Sequence, residues 1–513
     1  MLKGVKSSRA NLILPAILLA GLIIRLVYLY YFRDTVFFNP VLMDKHDQKT
    51  FFIWAQQILN NPWHVDGKAF YMAPFYPYFL ALLLFISGGA LVPVLIFQLL
   101  LDTVICIFVF YLGKKIYDAG TGLIAAFFAS FYRTSIVYAA SVLSDSLIFF
   151  LYMFFMLLVY YALEKPNFIR WAAAGVVLGF AALAKPTISI YLPFLLLGLY
   201  LYPDKKMLSS ELPLRLHPLM VLVILIAVSG LTILPVTLRN FSVSGEIIPI
   251  CTNGLVNWKI GNSSDSIGLF YYPKGELLSP LSLPFWRLFL AKLNMFFTSY
   301  EWPQNMTVYV MEELVPSLKA AFVKFGFIAP AGMGGLILML RNWRKNFIFI
   351  SFALSNVLWV VLFFIVDRYR LPAAGCFMVS SAYLLAWSVG KIKKRNIISA
   401  LAIWVFVGIF AYFYNITPGP LVPPASIETF AALSVKNIQN DLSLQDTESA
   451  YKKAVQYYRL MPGDFRSTFM LACVFADMGQ KENGVRYLEE TLRINPGFEP
   501  AQRFLEDLKT GMR

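Results

Sequence analysis

The chain has 513 residues, 58% of them hydrophobic and 16% aromatic but only 14% charged, a balance that excludes an ordinary soluble enzyme of this length. A net charge of +15 would suggest nucleic acid in a soluble protein, but here Lys and Arg gather in short clusters between apolar runs, which is membrane topology rather than polyanion binding. The four cysteines, Cys106, Cys251, Cys376 and Cys473, have no paired spacing and give neither a disulfide framework nor a zinc site.

Lys3, Lys6 and Arg9 precede an apolar run at 11–32 that is too long for a signal sequence and lacks a small-residue cleavage site, so it predicts an uncleaved first span. A polar loop at 33–73 follows. The next apolar stretch, 74–87, is short and opens Pro-Phe-Tyr-Pro. A crossing needs about 20 apolar residues, so this piece is expected to be re-entrant or interfacial, which is tolerated where backbone lines a protein cavity. Runs at 92–113, 119–141, 144–163, 170–185, 187–202 and 218–238 lead to a second polar loop at 239–318. Those at 319–340, 346–366, 371–389 and 397–415 complete eleven candidate spans.

With a cytoplasmic N-terminus, alternate loops should be basic. They are: Lys114-Lys115, Lys165 with Arg170, Lys205-Lys206 with Arg215, Arg341 with Arg344-Lys345, and Lys391 to Arg395. The loops 33–73 and 239–318 then share the opposite face with everything after 415. The expected location is a bacterial inner membrane.

After Thr417 the composition changes. Pro418, Pro420, Pro423 and Pro424 form a stiff connector over 416–426, followed by a soluble helical pattern over 427–513. Met461-Pro462-Gly463 is echoed by Asn495-Pro496-Gly497 at a spacing of 34 residues, with Ala454/Leu488, Leu460/Ile494 and Leu471/Leu505 at the same offset. That is the tetratricopeptide period, held for only about two repeats. The fold expected is therefore all-α: a polytopic membrane bundle over 1–415, with about eleven transmembrane helices and a re-entrant segment, ending in a tetratricopeptide-like α-solenoid.

The first outer loop reads Pro40-Val-Leu-Met-Asp44-Lys-His46-Asp47 and continues through Phe51, Trp54 and Ala55 to Pro74-Phe-Tyr76-Pro77. Further along stand Ser144-Asp145-Ser146, Leu183-Ala184-Lys185-Pro186, Arg239-Asn240, Asn253-Gly254, Gly261-Asn262 and Asp367-Arg368-Tyr369-Arg370-Leu371-Pro372. This order resembles the C-type (GT-C) glycosyltransferases, the group that holds glycosyltransferase family 39, the protein O-mannosyltransferases and the bacterial aminoarabinose transferases, over roughly 11–415. The resemblance implies a sugar taken from a polyprenyl-phosphate carrier and passed to a protein, lipid or glycan acceptor on the non-cytoplasmic face. It also implies a second acidic residue, Asp145, that orients the acceptor or a metal. No further carboxylate lies at ligand spacing, so a divalent cation is compatible but not demanded.

The chemistry assigns roles to the same residues. Attack of an acceptor hydroxyl on the anomeric carbon needs a carboxylate to remove its proton. Asp47 fits as that base because the family's acidic residue stands four places before the aromatic, here Phe51; its other use would be a helix N-cap. Asp145 opens a span and would otherwise cap it. The leaving lipid phosphate needs cations, for which Arg368 beside Tyr369 leads because a guanidinium grips phosphate oxygens bidentately. Lys185 and Arg239 follow, though each also suits a headgroup anchor. Asp44, His46, Tyr76, Asn240, Asn253, Trp258 and Asn262 are expected around the substrates, Tyr76 in a groove for the isoprenoid chain. The repeats are expected to meet a peptide-bearing partner.

Two other classes fit such a sequence. A lipid or polysaccharide flippase would show an internal repeat between its halves, and none is seen. A non-catalytic assembly factor would use the repeats to recruit an exported partner and would have no use for Asp47.

Overall fold

The computed structural model describes residues 7–44, 46–63, 67–203, 217–415 and 424–510. Lys3, Lys6, Lys205, Lys206, Arg215 and the prolines 418, 420 and 423 of the connector lie outside the described residues. Among those described, the chain is helical apart from two isolated bridges, Tyr132 with Val323 and Ser263 with Leu277. It divides into two compact units. The first comprises Met1–Leu26, Phe51–Gln304 and Lys319–Pro418; the second comprises Val27–Thr50, Asn305–Leu318 and Gly419–Arg513.

The helices run α1 (Ser7–Phe32), α2 (Asp47–Asn60), α3 (Phe75–Ile86), α4 (Leu91–Ile116), α5 (Ala119–Ser130), α6 (Arg133–Ala139), α7 (Asp145–Glu164), α8 (Phe168–Ala184), α9 (Leu192–Leu201) and α10 (Pro218–Ser244). The loop 239–318 holds α11 (Gly254–Asn262), α12 (Leu283–Phe297) and α13 (Val308–Leu314), after which come α14 (Phe325–Met339), α15 (Trp343–Leu362), α16 (Leu371–Lys393) and α17 (Ile397–Asn415). Seven described stretches are long and apolar enough to cross a membrane: Leu12–Phe32, Leu91–Ile116, Asp145–Glu164, Pro218–Ser244, Phe325–Leu362, Asp367–Lys393 and Ile397–Asn415. The fifth, of 38 residues, contains both α14 and α15. The protein is an integral membrane protein.

Each expected run is mostly helical, with two differences. The run 119–141 is not one helix: α5 ends at Ser130, and the backbone of Phe131 and of Arg133, where α6 begins, bonds instead to Val323. The run 187–202 opens as a 3-10 turn, Pro186–Tyr191, because Pro186 follows Lys185 and ends α8. The piece expected to be re-entrant is α3, whose 12 residues extend about 18 Å at 1.5 Å per residue, short of the ~30 Å hydrocarbon layer.

Apolar side chains gain little by leaving lipid, so span packing relies on close backbone approach at small residues. A Cβ on Gly335 would sit 1.9 Å from the Ser380 carbonyl oxygen, which shows α14 lying directly on α16. A buried ion pair anchors α1: Arg25 donates through Nε at 2.8 Å and Nη2 at 2.6 Å to Asp102 of α4, and through Nη1 at 2.8 Å to the Ser130 carbonyl. An intramembrane charge without such partners would be costly.

In the second unit α18 (Pro424–Ser443), α19 (Thr447–Leu460), α20 (Phe465–Asp477), α21 (Lys481–Ile494) and α22 (Glu499–Thr510) pack in succession. The two echoed Pro-Gly segments form the α19–α20 and α21–α22 turns. Lys453 of α19 reaches Asp441 of α18 at 2.6 Å in a buried pair, and Asp464 caps α20 through the Arg466 N–H at 2.9 Å. Residues 27–50 and 305–318 cluster with these helices. Phe37 stacks on Phe430 at 6.2 Å.

Candidate active site

Within the first unit, the turn between α15 and α16 gathers a cluster of buried charge. α15 ends at Leu362, residues 363–366 run extended, and Asp367–Arg370 form a 3-10 turn that Pro372 leads into α16. The extended piece is pinned from outside: Ile365 N–H donates to Gly268 O at 2.8 Å and Asp367 N–H to Trp302 O at 2.9 Å. The turn is thereby fixed before its side chains act.

Arg368 is buried. Its Nη1 donates to Asp145 Oδ2 at 3.0 Å, with both side chains 3% exposed, and its Nη2 donates to Gln304 Oε1 at 3.0 Å. Asp145 is the first residue of α7, where a carboxylate also faces the positive end of the helix. Tyr369, the next residue, turns its ring to the Lys185 ammonium, 3.6 Å from the centroid, and Trp359 lies 5.1 Å from the same ammonium. Lys185 is half-buried, and its ammonium makes no hydrogen bond among the described residues. Three of the four phosphate-binding residues expected from the sequence, Lys185, Arg368 and Tyr369, therefore come together beside Asp145.

Arg239 differs. It is fully buried and donates to Trp63 O at 2.9 Å and to Lys68 O, with the Phe70 ring 3.9 Å from its guanidinium carbon. Asn240 beside it accepts from Phe70 N–H at 3.1 Å and donates to Ile248 O at 3.0 Å and Ile250 O at 3.1 Å. Thr252 N–H and Asn253 N–H bond to the carbonyls of Phe70 and Tyr71, both at 3.0 Å. Arg239 and Asn240 thus join two loops, through backbone carbonyls and one bond between their own side chains at 3.3 Å.

Asn262 is likewise bonded within the chain. Its amide donates to Trp258 O at 3.0 Å and Leu362 O at 2.9 Å, and its oxygen accepts from Lys292 Nζ at 2.9 Å. Lys292 also donates to Gly261 O at 2.9 Å and Phe363 O at 3.0 Å. Burial pushes its amine down to about 7, while the acceptors at the C-terminal ends of α11 and α15 favour the ammonium, whose three N–H groups match them. Gly261 permits this approach, since a Cβ there would fall 1.8 Å from Phe363 O.

The remaining residues expected in this unit are nearby supports. Tyr76 is buried with its hydroxyl donating to Gln98 at 2.8 Å, and Gln98 reaches the carbonyls of Ala139 at 3.1 Å and Ser141 at 2.9 Å, ahead of Asp145. Asn253 accepts from the Cys251 thiol at 3.4 Å. Burial pushes that thiol up to about 11, and Lys185 is close enough to pull it down. Trp258 is half-buried between Phe285 and Phe363, 6.0 Å from each.

In the second unit Asp47 opens α2. Its Oδ2 accepts from Asn305 Nδ2 at 2.7 Å while its N–H donates to Asn305 Oδ1 at 3.2 Å. His46 is buried next to it. Asp44 is exposed and held by Lys49 at 2.5 Å and by Lys436. Those two ammonium groups hold its carboxyl down at about 2.

Sequence reasoning missed Glu301, Arg370, Gln304, Lys292 and Asn305. Arg370 is sealed by Glu301 and by the carbonyls of Phe296 at 3.2 Å, Thr298 at 2.9 Å and Tyr300 at 2.9 Å. Thr134 donates to Glu301 at 2.9 Å. The available signal was the Glu301-Trp302-Pro303 step, an acid next to aromatic and proline in an otherwise apolar stretch. No group of three or more His, Cys, Asp or Glu side chains among the described residues is placed to hold a metal ion.

Residues 71–233 match the family described as dolichyl-phosphate-mannose-protein mannosyltransferase. The resemblance to protein mannosyltransferases is met over that stretch, which includes Tyr76, Asp145 and Lys185. No curated protein matches. Among solved structures, the Archaeoglobus fulgidus oligosaccharyltransferase in its apo form shares 11% identity at a TM-score of 0.43, covering 79% of this chain and 57% of that one. The same enzyme with Zn and sulfate shares 15% at 0.46, covering 79% and 54%. The archaeal oligosaccharyltransferase AglB with an inhibitory peptide and a dolichol-phosphate shares 13% at 0.44, covering 79% and 56%. The chain spans a little over half the length of these solved chains.

Proposed function

We propose that the protein is a membrane glycosyltransferase that moves a sugar from a polyprenyl-phosphate-linked donor to a hydroxyl-bearing acceptor on the non-cytoplasmic face of a bacterial inner membrane. The observation that carries this reading is the Lys185 ammonium on the face of Tyr369, next to an Arg368 already fixed by Asp145 and Gln304. The family matched over 71–233 is named for a dolichyl-phosphate-mannose donor, and phosphate is the group such a pair of cations suits.

As the bond from the anomeric carbon to the phosphate oxygen breaks, negative charge grows on that oxygen. Asp145 balances Arg368, so the net positive charge offered to the phosphate comes from Lys185, whose three N–H groups remain to be used. Fixed donors aimed at developing charge need no rearrangement during the reaction. Arg368 contributes a rigid fork. The acceptor oxygen forms the new bond to the anomeric carbon, its proton passes to a carboxylate, and the lipid phosphate leaves. Asp47 is proposed as that carboxylate because of its spacing to Phe51 in the first outer loop. Tyr76 is proposed to line the groove for the isoprenoid chain. The C-terminal helices are proposed to be tetratricopeptide repeats for a peptide-bearing partner, on a groove of about 650 Å³ whose lining includes Phe469, Phe504, Asp477 and Arg503.

Purified protein in nanodiscs, given radiolabelled polyprenyl-phosphate mannose with a serine/threonine-rich peptide or water as acceptor, should release polyprenyl phosphate. Asp47→Asn should abolish release while leaving the protein folded. A flippase would move the lipid with its sugar still attached, and a scaffold would do neither; an Asp47→Asn protein as active as the wild type would remove the base from this scheme.

A further inference from the structure

We infer that Asn305 is a positioning residue for Asp47, holding the carboxylate through its side-chain amide and through a backbone turn that few residues other than glycine adopt. The inference rests on Asp47 being the base proposed above, and it extends that proposal to a residue with no acid–base chemistry of its own.

Three observations carry it. The contact is reciprocal: Asn305 Nδ2 donates to Asp47 Oδ2 at 2.7 Å, and Asp47 N–H donates back to Asn305 Oδ1 at 3.2 Å. One amide thus grips both the side chain and the main chain of a single residue, which fixes the side-chain torsion as well as the position. The N–H involved belongs to the first residue of α2, one of the donors that a helix start leaves without an intrahelical acceptor. Secondly, Asn305 lies at φ 64, in the left-handed region where asparagine is tolerated and most other side chains are strained. Residues held this way concentrate where a site needs a side chain aimed. Thirdly, the neighbouring pair repeats the contact, with Gln48 Nε2 at 3.3 Å from Met306 Sδ. Two successive residues of one segment therefore hold two successive residues at the start of the helix.

A general base works only when one carboxylate oxygen points at the proton it removes. A carboxylate free to rotate about its side-chain torsions spends little time in that orientation. An amide on one oxygen removes that freedom, and a misplacement of about 1 Å costs on the order of 100-fold in rate.

Asn305→Gly tests this directly, because glycine adopts the left-handed backbone without steric cost and removes both side-chain bonds. Asn305→Asp keeps an acceptor for the Asp47 N–H but replaces the donor with a second carboxylate oxygen. Both variants, Asp47→Asn and the Asn305→Gly/Asp47→Asn pair are compared with the full-length wild type in nanodiscs. The assay uses radiolabelled polyprenyl-phosphate mannose with water or a serine/threonine-rich peptide, reading melting temperature, donor KM and kcat. The expected result for Asn305→Gly is a kcat lowered about 10- to 100-fold, with donor KM within about twofold and melting unchanged. Asn305→Asp should fall further, and the double variant should be no slower than Asp47→Asn alone, since both changes remove one function.

Wild-type kcat in Asn305→Gly overturns the inference, and an inactive Asp47→Asn in the same experiment leaves the functional proposal standing. If Asn305→Gly does not fold, Asn305→Asp decides: retained kcat overturns the inference and lost kcat at unchanged KM supports it. Full activity in Asp47→Asn sinks the base assignment and the inference with it.

Discussion

Lys185 and Arg239 look alike in the sequence: each is a cation at the outer end of an apolar run, Lys185 just after α8 and Arg239 in the last turns of α10. The structure separates them. Arg239 is 1% exposed and committed to the carbonyls of Trp63 and Lys68, whereas the Lys185 ammonium rests on Tyr369 and Trp359 with no hydrogen bond among the described residues. Arg239 ties Trp63, Lys68 and Asn240 together and so holds loops in place. The Lys185 ammonium, held by two rings, keeps its donors available, as the proposed phosphate contact requires.

The largest effect that would break this comparison lies at Lys185. Lys185→Met keeps the stem and removes the charge, and should lower kcat/KM for a polyprenyl-phosphate sugar by about 10²–10³, the cost of one lost donor to developing charge. Its melting temperature should stay near the wild-type value, because no acceptor among the described residues loses a partner. A normal kcat/KM in this variant, read beside the wild type in the lipid-phosphate release assay, would mean that the ammonium only anchors α8 at the headgroups.

Arg239→Met should invert the pattern. It removes the donor to the Trp63 and Lys68 carbonyls, two part-buried hydrogen bonds that contribute about 0.5–1.5 kcal/mol each. Thermal unfolding in detergent should therefore shift down, and kcat per folded molecule should stay near the wild-type value. Lost kcat at unchanged melting would place Arg239 with Lys185 among the groups that meet the donor.

What the sequence could and could not show follows the same division. The spans were legible because hydrophobicity is summed over about 20 residues and no single residue decides it. The break after Ser130 was not, because the apolar pattern continues through it and the cause lies at Val323, nearly two hundred positions on. Arg368 and Asp145 stand out in the sequence because charge at a span end is expensive. Lys292 does not, since one lysine in an amphipathic helix of a polar loop reads as solvated, and its burial depends on two helix ends that only the fold brings together. Asn240 and Asn262 are expected around the substrates by residue type alone. The amide side chain serves equally well as a joint between loops, and the type alone does not say which.

The smallest expected effect concerns Asp44, three positions before Asp47 and separated from it in the sequence only by the spacing to Phe51. Asp44 is exposed, and its partners Lys49 and Lys436 are partly so. Those ammonium groups lower its pKa to about 2 from an ordinary value of 3.8. A carboxyl whose folded pKa is lowered adds stability above its unfolded value and loses it as the pH falls through the folded one, so this contribution is present above about pH 4 and gone near pH 2. At neutral pH an exposed pair of this kind contributes little and is screened by salt. Asp44→Asn should therefore match the wild type in melting and in kcat at neutral pH, at low and at high salt alike. If it instead abolished lipid-phosphate release, the carboxylate held by two lysines would be doing the work assigned to the one held by Asn305, and the spacing to Phe51 would be no guide to which acid takes the proton.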